Sequence, residues 1–176
     1  MGFWGVAIAG FAAQQAVAAL GEVSERHRIY VDARSYSEAV GKPMLVVGRP
    51  IHSWEAPCSP DYTLDLSPDV LGVCPIGGIQ ADVRDIPLPT RSVGATAIFH
   101  VLEHLHSIED LQVAWSELWR VSETVMVAYP RFWFARNVLH EDHWCWTRPE
   151  GEVLWVRERR GRHRQAWIGP DGSVVG

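Results

Sequence analysis

Residues 81–121 read ADVRDIPLPTRSVGATAIFHVLEHLHSIEDLQVAWSELWRV. The apolar run near Ile79–Val83 carries an acid, Asp82, and a Pro-rich turn through Ile86-Pro87-Leu88 follows. A second apolar run, Ala95–Phe99, leads to Glu103-His104, and an amphipathic segment then closes on Arg120-Val121. That segment reads as a helix. Ser107 can cap it by accepting from a first-turn amide, and Asp110 sets a negative charge at the positive end of the dipole. Leu111, Ala114, Trp115, Leu118 and Trp119 recur at i, i+3, i+4, i+7 and i+8, which makes one apolar stripe. Another apolar run, Thr124–Tyr129, starts directly afterwards. Strand, turn, strand, helix, strand is the order of a parallel sheet with crossovers.

The flanks extend the pattern. Pro43 to Val47 (PMLVV) is continuously apolar and stops at Gly48, as expected of a strand buried on both faces. Tyr62–Leu66 is a further apolar run. Near the end, EVLWVRE and RHRQAWI flank RRGR, an antiparallel hairpin in the making. The fold class is therefore α/β, a mostly parallel sheet with an antiparallel edge. The gaps Arg49–Asp61 and Ser67–Gly78 are rich in Pro, and a full crossover helix barely fits in either, so the helices of the front half should be abbreviated.

With 176 residues, 47% apolar and 21% charged, the chain can bury a real core as one domain of ordinary size. A net charge of −5 argues against a general nucleic-acid binder. The local run Arg157, Arg159, Arg160, Arg162, Arg164 reads as a solvated hairpin in preference to an anion site. Cys58, Cys74 and Cys145 are odd in number and lack a CxxC pair, so neither a disulfide framework nor a structural zinc site is expected. A reducing, cytoplasmic location is the default.

The first 21 residues, MGFWGVAIAGFAAQQAVAALG, carry no charged side chain. As a helix they would span about 30 Å, roughly one hydrocarbon core. Two readings stay open: a membrane span with Arg26, Arg28 and Arg34 on the cytoplasmic side, or a helix packed on its own domain or a protein partner through residues 3–20. Glu22 to Lys42 reads as a linker, with VDARSYSEAVGK a short helix stopped by Gly41.

The order of runs from Pro43 to Gly151 resembles class I S-adenosylmethionine-dependent methyltransferases, in particular the methyltransferase type 11 group. The resemblance implies a Rossmann-like methyltransferase sheet over residues 43–176, preceded by the apolar helix 1–21 and the linker 22–42. It also implies S-adenosylmethionine as cofactor, lying across the carboxyl ends of the strands, and methyl transfer to an unknown acceptor. Gly48 matches the first glycine of the family's first motif. Val46 stands where the family has an acid, and Pro50 where it has a second glycine. Proline fixes φ and lacks an N–H, so this motif is degenerate.

Asp65, in LDLSP, matches the acid whose two oxygens accept from the ribose hydroxyls, although by itself it also reads as the start of a Ser-Pro turn. Asp82 resembles the adenine-contacting acid, with Asp85 a competitor. After the Pro-rich turn the family has Phe-Asp where this chain has Val93-Gly94. Glu103-His104 resembles the Glu-His that follows the fourth strand, and His104 is assigned to the pocket wall or a cap, with a general base as the further option.

His100 and His104 could share a helix face, but His106 falls off it and neither a Cys nor a second carboxylate completes a set. No metal site is expected. The resemblance places substrate-facing loops in YPRFWFARNVLHEDHWCWTRPEG, with His140, Asp142, His143, Trp144 and Trp146 as an aromatic, polar pocket; a lid packed on the core is the alternative.

Two functions follow. In one, this is a small methyltransferase. In the other, the fold persists without the chemistry, as a structural or interaction module anchored by its N-terminus in a membrane or a larger assembly such as a viral particle. The glycine patterns of dinucleotide or P-loop sites are missing.

Overall fold

The computed structural model describes residues 3–49, 60–71, 77–130, 135–159 and 164–175. Five short strands form the central sheet: β1 (Met44–Val47), β2 (Tyr62–Asp65), β3 (Gly78–Gln80), β4 (Val93–Phe99) and β5 (Ser122–Ala128). Their spatial order is β3-β2-β1-β4-β5, and every pairing is parallel. All residues of β1 and β4 are buried, which is why both read as unbroken apolar runs. The strand order reverses between β1 and β4. In open α/β sheets that is where ligands bind, outside the carboxyl ends of the strands.

Among its described residues, the crossover between β2 and β3 holds a single short helix, α2 (Pro68–Leu71). The crossover from β4 to β5 is complete. A 3-10 turn over Leu102–His104 precedes α3 (Ile108–Val121). The Ser107 hydroxyl accepts from the Asp110 amide at 3.0 Å, the expected cap. Replacing Ser107 by Ala should cost about 1 kcal/mol of unfolding free energy, read from urea denaturation. The apolar stripe of α3 is buried at Ile108, Leu111, Ala114, Trp115, Leu118 and Val121.

The other face of the sheet is covered by α1 (Phe3–Val40), one continuous helix. The expected division into an apolar helix over 1–21 and a linker with a short helix over 22–42 is therefore corrected: the polar stretch carries the same helix on to Gly41, where φ is +67°. No proline interrupts it. Ile29, Tyr30 and Ala33 pack on Met44, Val46, Ala95, Ala97 and Phe99. Gly94 makes this docking close, because a Cβ there would lie 2.8 Å from the Ser37 Cα and 2.8 Å from Val40 Cγ2. The Ser37 hydroxyl accepts from the Ala95 amide at 3.0 Å. The Val93-Gly94 departure thus serves the helix.

Earlier in α1, Phe11, Val17, Leu20 and Val23 are exposed. Among the described residues no helix is long and apolar enough to cross a membrane, so the membrane-span reading of 1–21 gains no support.

The C-terminal hairpin also departs from expectation. It does not form an edge of the parallel sheet. β6 (Cys145–Glu150), β7 (Val153–Glu158) and β8 (Gln165–Ile168) make a separate antiparallel sheet in the order β6-β7-β8. Its inner residues Leu154, Val156, Ala166 and Ile168 join the core beneath α3. Bonds that tie it there include those from the Trp115 indole to the Glu152 carbonyl at 3.0 Å, from the Gln112 amide to the Gly172 carbonyl at 2.7 Å and from the Arg164 guanidinium to Glu109 at 2.8 Å.

Candidate functional site

A cavity of about 330 Å³ opens where the strand order reverses. Gly48 borders it from the end of β1, Asp65 from β2, Asp82 from the loop after β3, and His100 and His104 from beyond β4. All four residues expected to hold the cofactor, Gly48, Asp65, Asp82 and His104, line this one hollow. Asp85 does not.

Gly48 has φ +85° and donates its N–H to the Leu64 carbonyl at 2.9 Å. A Cβ would lie 2.6 Å from Val101 Cγ2 and 2.7 Å from the Phe99 carbonyl oxygen, so only glycine fits. Val46, standing in the acid's place, is fully buried beneath α1. Pro50 lies outside the described residues.

Asp65 combines both of its expected roles. Its Oδ1 accepts from the Ser67 amide at 2.8 Å, starting the turn, while its carboxylate still borders the cavity. Asp82 is more committed. Arg84 donates to Oδ1 through Nε at 3.0 Å and to Oδ2 through Nη2 at 2.6 Å, and reaches Asp110 at 2.6 Å. The Arg84 hydrogen bonds hold the Asp82 carboxyl below the usual carboxylate range. This guanidinium clips the lip of the crevice to the first turn of α3. The loop behind it is fixed as well, since Arg120 donates to the Ile86 and Leu88 carbonyls, each at 2.8 Å, and Glu117 accepts from the Ile86 amide at 3.0 Å.

A second chamber of about 310 Å³ adjoins the first and shares Gly48, Asp65, His100, Val101 and His104 with it. Its remaining wall includes Glu22 and Arg26 from α1, and Asn137, His140 and His143 from α4 (Ala135–Leu139) and the loop after it. Arg26 lies over the Phe99 ring at 5.2 Å and donates to the Arg49 carbonyl at 2.8 Å. Glu22 accepts from the Asn137 amide at 2.5 Å. Sequence reading missed Glu22 and Arg26, although four residues apart on a helix places them on one face.

The four residues expected to form the substrate pocket divide. His140 and His143 line the second chamber, stacked at 4.4 Å. Burial pushes the His143 imidazole down to about 4, so it is neutral at neutral pH. Trp144 lines neither chamber and packs edge-on against His106 at 4.7 Å. Trp146 turns to the opposite side, into a cavity of about 950 Å³ between α1 and the small sheet, with its ring 4.7 Å from the Arg159 guanidinium. Strand alternation explains the split, because Cys145 and Thr147 point inward and Trp146 between them cannot.

Residues 47–124, from the end of β1 into β5, match a family model described as a methyltransferase domain. That stretch of the chain is similar to a methyltransferase domain. The sheet is Rossmann-like, with the small antiparallel sheet beside it. Among solved structures, the chain is similar to an S-adenosylmethionine-dependent methyltransferase from Clostridium acetobutylicum ATCC 824, at 8% identity and a TM-score of 0.46, over 82% of this chain and 71% of that one. It is also similar to Streptomyces venezuelae DesVI, at 18% identity and a TM-score of 0.45, over 87% and 72% of the two chains. No curated protein sequence matches the chain.

Proposed function

We propose that this protein binds S-adenosylmethionine across the two chambers and passes its methyl group to an acceptor entering beside His140 and His143. One observation carries the reading: Gly48, Asp65, Asp82 and His104, distant in sequence, border one open cavity at the switch point of the sheet. The chemistry of the walls fits the ligand. Asp65 offers carboxylate oxygen to a vicinal diol, and Gly48 leaves a cradle that any side chain would fill. Arg26 and Glu22 bring opposite charges to the second chamber, suited to a zwitterionic amino-acid end, and so replace what the degenerate first motif lacks.

When bound, the cofactor supplies an electrophilic methyl on a sulfonium. The chain's own task is to position. Asp65 and Gly48 fix the adenosine half, and Arg84 and Arg120 keep the Asp82 loop from moving. His104 stands where the chambers meet, beside the entering acceptor, and its Nδ1 is held by the Asp142 carbonyl at 3.1 Å. Placement alone can supply much of the rate in such a displacement.

Calorimetry of the full chain with S-adenosylhomocysteine tests the reading. Binding is expected, and Asp65→Ala should weaken it by about 1.5–3 kcal/mol, the range for hydrogen bonds to a charged group. Failure to bind either S-adenosylmethionine or S-adenosylhomocysteine would remove the proposal; unchanged affinity in the variant would remove the role given to Asp65.

A further inference from the structure

Glu103 is wholly buried, yet among the described residues only one of its side-chain oxygens has a partner. Oε1 lies 3.1 Å from His100 Nδ1, whereas Oε2 meets no donor among the described residues. A buried carboxylate oxygen left bare is costly, and native folds retain one where another positive partner completes it. His100 itself sits at φ +54°, a strained conformation for a non-glycine residue at the mouth of the site.

Two imidazoles face this carboxylate. His104 Nδ1 lies 3.1 Å from the Asp142 carbonyl oxygen, and His143 Nδ1 lies 3.1 Å from that of Asn137. A carbonyl only accepts, so each ring donates from Nδ1 and a ligand-ready form keeps the lone pair on Nε2. One potential ligand atom from each of Glu103, His104 and His143 lies within 4.8 Å of the other two. His140 differs. Its Nδ1 accepts from the Asp142 amide at 3.3 Å, which puts the ring in the opposite tautomer and makes it a wall of the chamber.

We propose that Glu103, His104 and His143 form a binding site for a divalent ion of the zinc class, set at the junction of the two chambers. Two imidazoles and a carboxylate are a borderline donor set that favours zinc over magnesium or calcium. Backbone carbonyls on both Nδ1 atoms, and His100 on the other carboxylate oxygen, supply the outer bonds that orient such ligands. Ligand atoms around a tetrahedral zinc stand roughly 3.4 Å apart, so the three side chains draw inward on binding. Three protein ligands leave a fourth position, open to the second chamber that His104 and His143 line. Water or an acceptor oxygen there would be acidified by the ion. That use rests on the methyl-transfer reading, whereas the site does not.

His100, His104 and His106, with neither a Cys nor a second carboxylate nearby in sequence, make no metal set by themselves. The third ligand, His143, comes from after α4, 39 positions beyond His104, where no local spacing could reveal it.

The test uses the tag-free full chain, stripped with a chelator and titrated with Zn²⁺ by calorimetry and with Co²⁺ by visible absorption. Expected are one ion per chain, the strong d–d bands of four-coordinate cobalt, and no competition from Mg²⁺. Glu103→Gln and His143→Ala should each weaken Zn²⁺ binding by roughly 100-fold or more, and His106→Ala should leave it unchanged. Circular dichroism verifies folding, and half-buried His104→Ala substitutes for any buried variant that does not fold. Lack of stoichiometric Zn²⁺ binding, or equal affinity in folded Glu103, His104 and His143 variants, overturns the site. S-adenosylhomocysteine titration of the same samples keeps the two proposals apart: binding of that ligand without zinc defeats only the metal site.

Discussion

Trp115→Ala is expected to lower the unfolding free energy by about 3–5 kcal/mol, the cost of removing a large buried aromatic. Trp115 is fully buried, with its ring in the layer between the central sheet and the small antiparallel sheet. It meets Trp119 edge-on at 6.1 Å, and its indole N–H donates to the Glu152 carbonyl at 3.0 Å. The substitution therefore removes packing from α3 and one of the side-chain bonds between α3 and the small sheet. Urea denaturation followed by far-UV circular dichroism measures the loss. Trp115→Phe keeps most of the volume and gives up the indole bond, so it should cost far less than the Ala variant. Near-equal costs for the two would mean that docking of the small sheet depends on that hydrogen bond more than on the core.

The central sheet was legible because burial on both faces leaves a plain trace. PMLVV and Ala95–Phe99 are continuous apolar runs, and the β1 and β4 they mark are buried throughout. The amphipathic stripe and the Ser107 cap were equally legible, since both are set within a single helix. Whatever depended on tertiary placement was not. The hairpin pattern specified β7 and β8, but their attachment to α3 instead of β5 rests on contacts such as Gln112 to Gly172, sixty residues apart. α1 escaped for a different reason. Its polar second half has the composition of a linker, and it is helical because Ala33, Ser37 and the bare backbone at Gly94 allow it to lie close on the sheet.

The site divides along the same line. Gly48, Asp65, Asp82 and His104 stand at strand ends or just beyond them, so the order of runs was enough to bring them to one crevice. Glu22 and Arg26 enter through the misread helix. Trp144 and Trp146 were grouped with His140 and His143 by proximity in sequence, but strand alternation sends Trp146 to the other side. Nearness along the chain is a poor guide where a loop becomes a strand.

Gly48→Ala should be as damaging as the loss of Trp115, and in two ways. The residue sits at φ +85°, where a side chain costs about 1–2 kcal/mol. Its Cβ would also press within 2.7 Å of the Phe99 carbonyl oxygen, which β4 holds in place, adding about 1–3 kcal/mol of overpacking. The expected total is about 2–5 kcal/mol. Gly41→Ala separates the two costs, because Gly41 has φ +67° but nothing within 4 Å of the added carbon. It should lose only the conformational share. Relief at Gly48 can come only from moving Phe99 and Val101 at the end of β4, and Val101 borders both chambers. Binding of S-adenosylhomocysteine should therefore vanish in Gly48→Ala and survive in Gly41→Ala, by calorimetry on folded protein. If both variants kept full affinity, the ligand could not lie against the end of β1, and the crevice at the switch point would have to serve some other molecule.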